Sequence, residues 1–442
     1  KPSISAKTVI ACSNELFTTT ITNGINNDIV PNGITYTWSA PIVTGNMTGG
    51  AAGNNATSVS GNLSNPTSVS QTATYTVRPT APGGTSCIGS DFTVVATIKP
   101  KAIISAKSAV ACSNDAFTFT LSDGAGTDVI PTGTTYSWSS PTVTGGLTGG
   151  AAGSAQAVVG GTLSNPSNAA QTATYSVIAN SNGCLSTAFA ATATVYTRPL
   201  IITQNIQTCS GTAFNIAPVN STDGIVPSNT RYTWGNPNDN PVGSITGQSA
   251  QLVAANSVSQ LLNNITNTPA TISYTVTPIA GTCTGPNFTA VITVNPKPNI
   301  NAQARTICSE ELFTVSPVNT ADGIVPNNTT YTWSNPVSNP VGAITGWSAQ
   351  TTASNNISQS LTNTTNTAAT LTYSVIPRSG AAGNCIGSPF NIIVSVNAKP
   401  VIGNQTRAIC SGSAFNVALT NGGSTIIPSG TTYTWFVSTN NN

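Results

Sequence analysis

The sequence predicts an all-β protein, a tandem array of β-sandwich domains forming an elongated rod. Three observations carry this prediction. A unit of about 100 residues recurs along the 442-residue chain. Within each unit apolar residues alternate with a period of two. Turn dipeptides such as Asn23-Gly24, Asp123-Gly124, Asn182-Gly183 and Asp322-Gly323 punctuate the alternation.

The repeat is anchored on cysteine. Cys12, Cys112, Cys209, Cys308 and Cys410 recur at nearly equal intervals along the chain. Five positions after each comes a Phe: Phe17, Phe117, Phe214, Phe313 and Phe415. A Pro follows at Pro31, Pro131, Pro227, Pro326 and Pro428. Seven positions after each Pro stands the Trp of a Tyr-x-Trp: Trp38, Trp138, Trp234, Trp333 and Trp435. A Tyr-x-Val follows at Tyr75, Tyr175, Tyr274 and Tyr373, and a second Cys closes the unit at Cys87, Cys184, Cys283 and Cys385. The expected domains are therefore 1–100, 101–197, 198–296 and 297–398, with a partial fifth over 399–442. Lys1-Pro2 carries no signal-peptide pattern, and the fifth unit stops soon after Trp435, so the chain is expected to be a piece of a longer repetitive protein.

Strands account for the interior of each unit. Phe117, Phe119 and Leu121 share one face and Thr118 and Thr120 the other; Phe92, Val94, Ala96 and Ile98 alternate in the same way. No long segment has helical periodicity. Several short strands in about 100 residues imply two packed sheets, with the Phe, the Tyr-x-Trp pair and the Tyr-x-Val pair in the core. The distance from each second Cys to the next first Cys is the same in all four cases: Cys87 to Cys112, Cys184 to Cys209, Cys283 to Cys308 and Cys385 to Cys410. So constant a junction, holding Pro at Pro199, Pro298 and Pro400, predicts stiff linkage and a rod of roughly 150–180 Å for four units.

Composition excludes several functions. Charged residues are 5% of the chain, the net charge is +2, and there is no His. A nucleic-acid binder needs a dense basic footprint, which is missing. Without His the usual general base and the commonest zinc and copper ligand are gone, so no enzyme, metal centre or cofactor is expected. No apolar run reaches membrane-spanning length. The glycine-rich stretch 45–53 has no strand–helix context for a phosphate loop.

The remaining candidates each have two readings. Asp28, Asp128, Asp223 and Asp322 precede a recurrent turn. They either contribute to calcium sites at domain junctions, for which each unit offers few carboxylates, or cap the turn. Ten of the thirteen basic residues lie shortly before a first Cys, among them Lys7, Lys101, Arg198 and Lys399. They form a ladder for anionic polysaccharide, or they protect edge strands and pair with Glu15, Asp115 and Glu311. Trp347 is the only Trp outside the repeated position, and either stacks on a sugar or partner or packs on its own rim. Asn-x-Ser/Thr triplets at Asn46, Asn55, Asn62, Asn264, Asn328 and Asn363 are expected by chance in so Asn/Thr-rich a chain.

The cysteines divide into four pairs plus Cys410, and in sandwiches without metal-ligand spacing they point to disulfides and an oxidising compartment. The simplest pairing lies within each unit: Cys12–Cys87, Cys112–Cys184, Cys209–Cys283 and Cys308–Cys385. Closing a loop of about 75 residues would stabilise by roughly 4–4.5 kcal/mol in the chain-entropy model. If the first Cys ends the first strand and the second begins the last, however, a sandwich puts them at opposite ends. A bond between units, such as Cys12–Cys184, is then easier. Free buried thiols are the third alternative.

The order Cys12, Tyr36-Thr37-Trp38, Tyr75-Thr76-Val77, Cys87 resembles the PKD-like, immunoglobulin-type repeats of Bacteroidota surface proteins. Such repeats form the stalks of SprB-like giant gliding-motility adhesins exported by type IX secretion. After Trp38 this chain reads Ser39-Ala40-Pro41, where standard PKD domains carry Trp-Asp-Phe-Gly-Asp-Gly. The resemblance implies an immunoglobulin-like (PKD-like) fold and a structural stalk at the cell surface, partnered by neighbouring repeats, surface glycans or other copies in a filament. A polysaccharide-binding array and an accessory segment of a secreted hydrolase are the alternatives. The former would need an exposed aromatic platform in every unit.

Overall fold

Alternating side chains build each repeat into two facing sheets. The computed structural model describes residues 1–83, 87–380 and 383–438. In the first repeat the larger sheet runs, from one edge, through Lys7–Cys12, Phe92–Lys99, Gln71–Thr80, Thr35–Trp38 and Gly53–Ala56, with Ile42–Val43 also on Gln71–Thr80. The smaller sheet holds Leu16–Thr19, Val59–Ser64 and Thr48–Gly49. The second, third and fourth repeats follow the same order, although the fourth repeat's smaller sheet is divided into two strand pairs.

One pairing in each repeat is parallel, and it governs where the cysteines stand. The first strand lies alongside the last in the same direction, with Lys7 opposite Val94 and Cys12 opposite Lys99. The same holds for Lys107–Cys112 on Phe189–Tyr196, Gln204–Cys209 on Phe288–Asn295 and Gln303–Cys308 on Phe390–Asn397. Parallel neighbours require a crossover, here the whole of the rest of the sandwich.

Each repeat has its own core. The inward residues of Phe92–Lys99 (Phe92, Val94, Ala96 and Ile98) are all buried, as is the Tyr75–Val77 pair opposite them. Phe17 meets Tyr75 edge-on at 5.8 Å between ring centroids, and Tyr36 meets Phe92 at 6.2 Å. Such pairs add about 0.5–1.5 kcal/mol beyond the area they bury. The expected core aromatics are buried in all four complete repeats.

The fifth segment differs. Its residues up to 438 hold no strand, only the isolated bridges Val401↔Ile426 and Gly422↔Thr425, and residues 439–442 lie outside the described ones. Phe415 and Trp435 are exposed, contrary to the core role expected of them in every unit. In the first four repeats the Tyr-x-Trp strand is held by the Tyr-x-Val strand. By compactness, residues Lys1–Pro199 with Ala280–Cys283 group as one unit and Leu200–Ile279 with Thr284–Asn442 as another.

Candidate functional site: the cysteine-bearing ends of the repeats

The first Cys closes the first strand, and the chain is pinned immediately after it. Ser13 N–H donates to Lys99 O at 2.9 Å, so the residue following Cys12 is tied to the end of the last strand. The Ser13 hydroxyl accepts the N–H of Asn65 at 2.9 Å, and Asn65 Nδ2 donates to Val69 O and Ile98 O at 2.8 and 2.9 Å. The same clamp recurs as Ser113–Asn165, Ser210–Asn264 and Ser309–Asn363. All four Asn are buried. A buried amide keeps its place only when its donors and acceptor are satisfied, and here they are.

The second Cys stands at the other end of its repeat. Cys184 follows the turn after Gln171–Ser181, pairs opposite Ser181 and precedes the last strand Phe189–Tyr196. Cys112 is opposite Tyr196, at the far end of that strand. Eight extended residues cover about 26 Å, whereas a disulfide needs Cα atoms within about 7 Å. The within-repeat pairing expected as simplest is therefore corrected. Cys12 bonds Cys184, Cys112 bonds Cys283 and Cys209 bonds Cys385, with Cα separations of 5.6, 5.6 and 5.7 Å. The rule is uniform: the first Cys of one repeat takes the second Cys of the next. Cys87, Cys308 and Cys410 are free thiols, Cys87 half-buried and the other two exposed.

Charges sit beside these ends. Lys101 Nζ meets Glu15 at 2.8 Å, Lys399 Nζ meets Glu310 at 2.6 Å, and Arg198 Nη2 meets both Asp115 oxygens at 2.6 and 2.7 Å while its Nε donates to Ser113 O. Pairing of the basic ladder with Glu15 and Asp115 is thus present, but in the fourth repeat Glu310 takes the lysine. Glu311 instead accepts the Cys308 N–H at 2.8 Å. Exposed pairs of this kind are screened by solvent, so they orient rather than hold.

The aspartates before the turn divide in two. Asp28 and Asp128 are buried and paired with Lys7 and Lys107 of their own repeat; each also accepts from a serine N–H and hydroxyl, Ser5 at 2.8 Å for both bonds and Ser105 at 2.9 and 2.8 Å. Burial opposes ionisation of Asp28, but Lys7 and Ser5 outweigh it and hold the carboxyl below its ordinary value. Asp223 and Asp322 accept the N–H of Val219 and Val318 at 2.7 Å, capping their turns. Trp347 is about a third exposed, and its indole N–H donates to Ile344 O at 3.0 Å. In the glycine-rich stretch, a Cβ on Gly53 would lie 2.2 Å from the Trp38 ring, so this glycine makes room for the core Trp. Among the described residues no group of three or more His, Cys, Asp or Glu is placed to hold a metal.

The serine–asparagine clamp escapes the sequence reading, although a signal for it exists. Asn65, Asn165, Asn264 and Asn363 each stand two residues before a Thr or Ser whose N–H and hydroxyl donate to the Asn Oδ1. Asn264 and Asn363 are two of the triplets attributed to chance.

Among solved structures, the chain is similar to Drosophila N-cadherin EC1-4 (12% identity, TM-score 0.21, 89% of this chain and 99% of that one). It is also similar to Sidekick-1 immunoglobulin domains 1-5 (8%, 0.21, 89% and 79%) and to the three N-terminal domains of the bacteriophage RB49 Highly Immunogenic Outer Capsid protein (10%, 0.28, 65% and 96%). No curated protein matches it. The PKD-like domain model matches four times in succession, over 9–102, 106–199, 206–298 and 305–400. With four sandwiches of one topology, each matched nearly end to end, the chain belongs to the PKD-like domain family.

Proposed function

We propose that this array is the structural stalk of a large, repetitive extracellular adhesin. It is a non-enzymatic spacer that carries an adhesive or motility-related tip away from a cell surface, with repeats over 1–100, 101–197, 198–296 and 297–398 and a partial fifth over 399–442. The observation that supports it best is the uniform bonding of each repeat to the next, because a spacer gains length by copying units and needs each copy secured to its neighbour. Paired cysteines fit an oxidising compartment outside the cytosol. The Cys, Tyr-x-Trp, Tyr-x-Val, Cys pattern is the basis for placing the protein with the gliding-motility adhesins of Bacteroidota and their type IX export. Its partners are then neighbouring repeats, with surface glycans or other copies in a filament met at the tip or along the flank. A polysaccharide-binding array would need an exposed aromatic in every unit, and the repeated aromatics Phe17, Tyr36, Trp38 and Tyr75 are core residues.

Small-angle scattering of the oxidised chain tests the stalk. An elongated profile is expected, and a globular one would overturn it. Tight binding of a polysaccharide on a glycan array, lost on mutation of Trp347, would move the assignment to a binding module.

A further inference from the structure

We infer that the disulfides give the oxidised array a short covalent line of tension, so that unfolding the residues enclosed between bonded cysteines does not lengthen it. This goes beyond the stalk reading and does not depend on it, since it rests on covalent connectivity alone. Tension entering at Lys1 reaches Cys12 and crosses to Cys184. It then runs along the backbone to Cys209, crosses to Cys385, and leaves along the backbone beyond. Residues 13–183 and 210–384 are not on this path. They hold most of four cores, and each can unfold without moving the ends apart.

Between the two crossings, the segment that carries the tension has little slack. Between Cys184 and Cys209 lie the strands Cys184–Leu185, Phe189–Tyr196, Leu200–Ile201 and Gln204–Cys209, already extended. Extended strands gain almost nothing on pulling, because about 3.3 Å per residue is close to the limit of the chain. The bond Cys112–Cys283 lies on a second, interleaved path from Cys87 through Cys112 and Cys283 to Cys308. While Cys209–Cys385 is intact, that path does not shorten the route between Lys1 and Asn442, so removing its bond alone is an internal control.

The experiment pulls the whole 442-residue chain by tags at its two termini, with free thiols blocked beforehand. Oxidised, about 95 residues of backbone separate the ends, and the extension should stop at roughly 320 Å. With reductant, the same molecule should reach roughly 1,500 Å, a nearly fivefold change. The double variant Cys112→Ser/Cys283→Ser should still stop at roughly 320 Å, whereas Cys209→Ser/Cys385→Ser should reach roughly 850 Å. The limiting extension counts covalent path, so it does not require that a variant's repeats remain folded during the pull. A non-reducing peptide map of the unmutated chain should contain Cys12–Cys184 and Cys209–Cys385 linked peptides. An oxidised chain that extends past about 1,000 Å would overturn the inference. So would an equal lengthening by the two double variants, because it would mean that both bonds lie on one path, as in within-repeat pairing.

Discussion

Replacing Asn363 by Ala should cost the fourth repeat far more than its size suggests. The side chain makes four hydrogen bonds: Nδ2 donates to Thr367 O at 2.7 Å and Val396 O at 2.8 Å, and Oδ1 accepts the Thr365 N–H and hydroxyl, both at 2.8 Å. Thr365 Oγ1 also donates to Thr367 O, so part of the loop network can be remade. Val396 O, at the end of the last strand, loses its side-chain donor. Two bonds lost at about 1 kcal/mol each, with about 1–2 kcal/mol for a buried polar group left unsatisfied, give about 3–4 kcal/mol. That is two to three powers of ten in the folded fraction of this repeat. Hydrogen exchange with peptide resolution reads it directly. Peptides from Ala369–Arg378 and Phe390–Asn397 should lose about 100- to 1,000-fold protection, while those of the first repeat stay unchanged. Asn363→Asp should be no better, because it faces two carbonyl oxygens with an acceptor. Asn355→Ala, at an exposed position, should lie within about 0.5 kcal/mol of the parent. A loss of protection below about fivefold for Asn363→Ala would refute the clamp as a determinant of stability, since it corresponds to about 1 kcal/mol.

The two halves of the chain treat their central tyrosine differently. Tyr274 donates to Gln260 Oε1 at 2.7 Å, whereas the buried Tyr75 hydroxyl has no partner among the described residues. Tyr274→Phe should therefore destabilise its repeat by about 1–1.5 kcal/mol and Tyr75→Phe should be neutral or stabilising, read by the same exchange measurement. Asp28, held below its ordinary value of 3.8, favours the folded state fully above that value and loses the contribution as pH falls through its lower folded value. Asp28→Asn should thus weaken the first repeat near neutral pH, and the gap to the parent should close below pH 3.8, measured by protection of Phe92–Lys99 across that range. A gap that stays constant through the titration would remove the ion pair from the account. Gly53→Ala places a methyl against the Trp38 ring and should cost about 1–3 kcal/mol, with a red shift of tryptophan emission as the ring is displaced.

Fold class and repeat were legible because both rest on short-range patterns. Alternation in Phe92–Lys99 reports its two faces directly, and the Phe17, Tyr36, Trp38 and Tyr75 positions repeat too regularly to be surface residues. The clamp was less legible because its members stand far apart in sequence: Ser13 and Asn65 meet only when Val59–Ser64 has paired with Leu16–Thr19. The role of Asp28 was hidden for the same reason, since Asp28 follows a 3-10 turn and its partner Lys7 lies on the first strand, well before it in the chain. Glu310 and Glu311 are adjacent, and only the backbone direction after Cys308 decides which one reaches Lys399.

The cysteine pairing could be decided by neither count nor loop entropy, because both alternatives use the same residues. A loop of about 75 residues and one of about 172 differ by only about 0.7 kcal/mol in the chain-entropy model, so geometry must decide. The decisive feature is the parallel pairing of first and last strands, which places the two cysteines of a repeat at opposite ends of the same sheet. The intervals in the sequence agree. From first to second Cys the distance changes with every repeat, being shortest from Cys112 to Cys184 and longest from Cys308 to Cys385. From each second Cys to the next first Cys it never changes. Loops that lie off a covalent path are free to change length. The segment Cys184–Cys209 spans between two bonds and is already extended, so it is not: adding or deleting a residue would shift the register of one strand by a face or pull a disulfide out of reach.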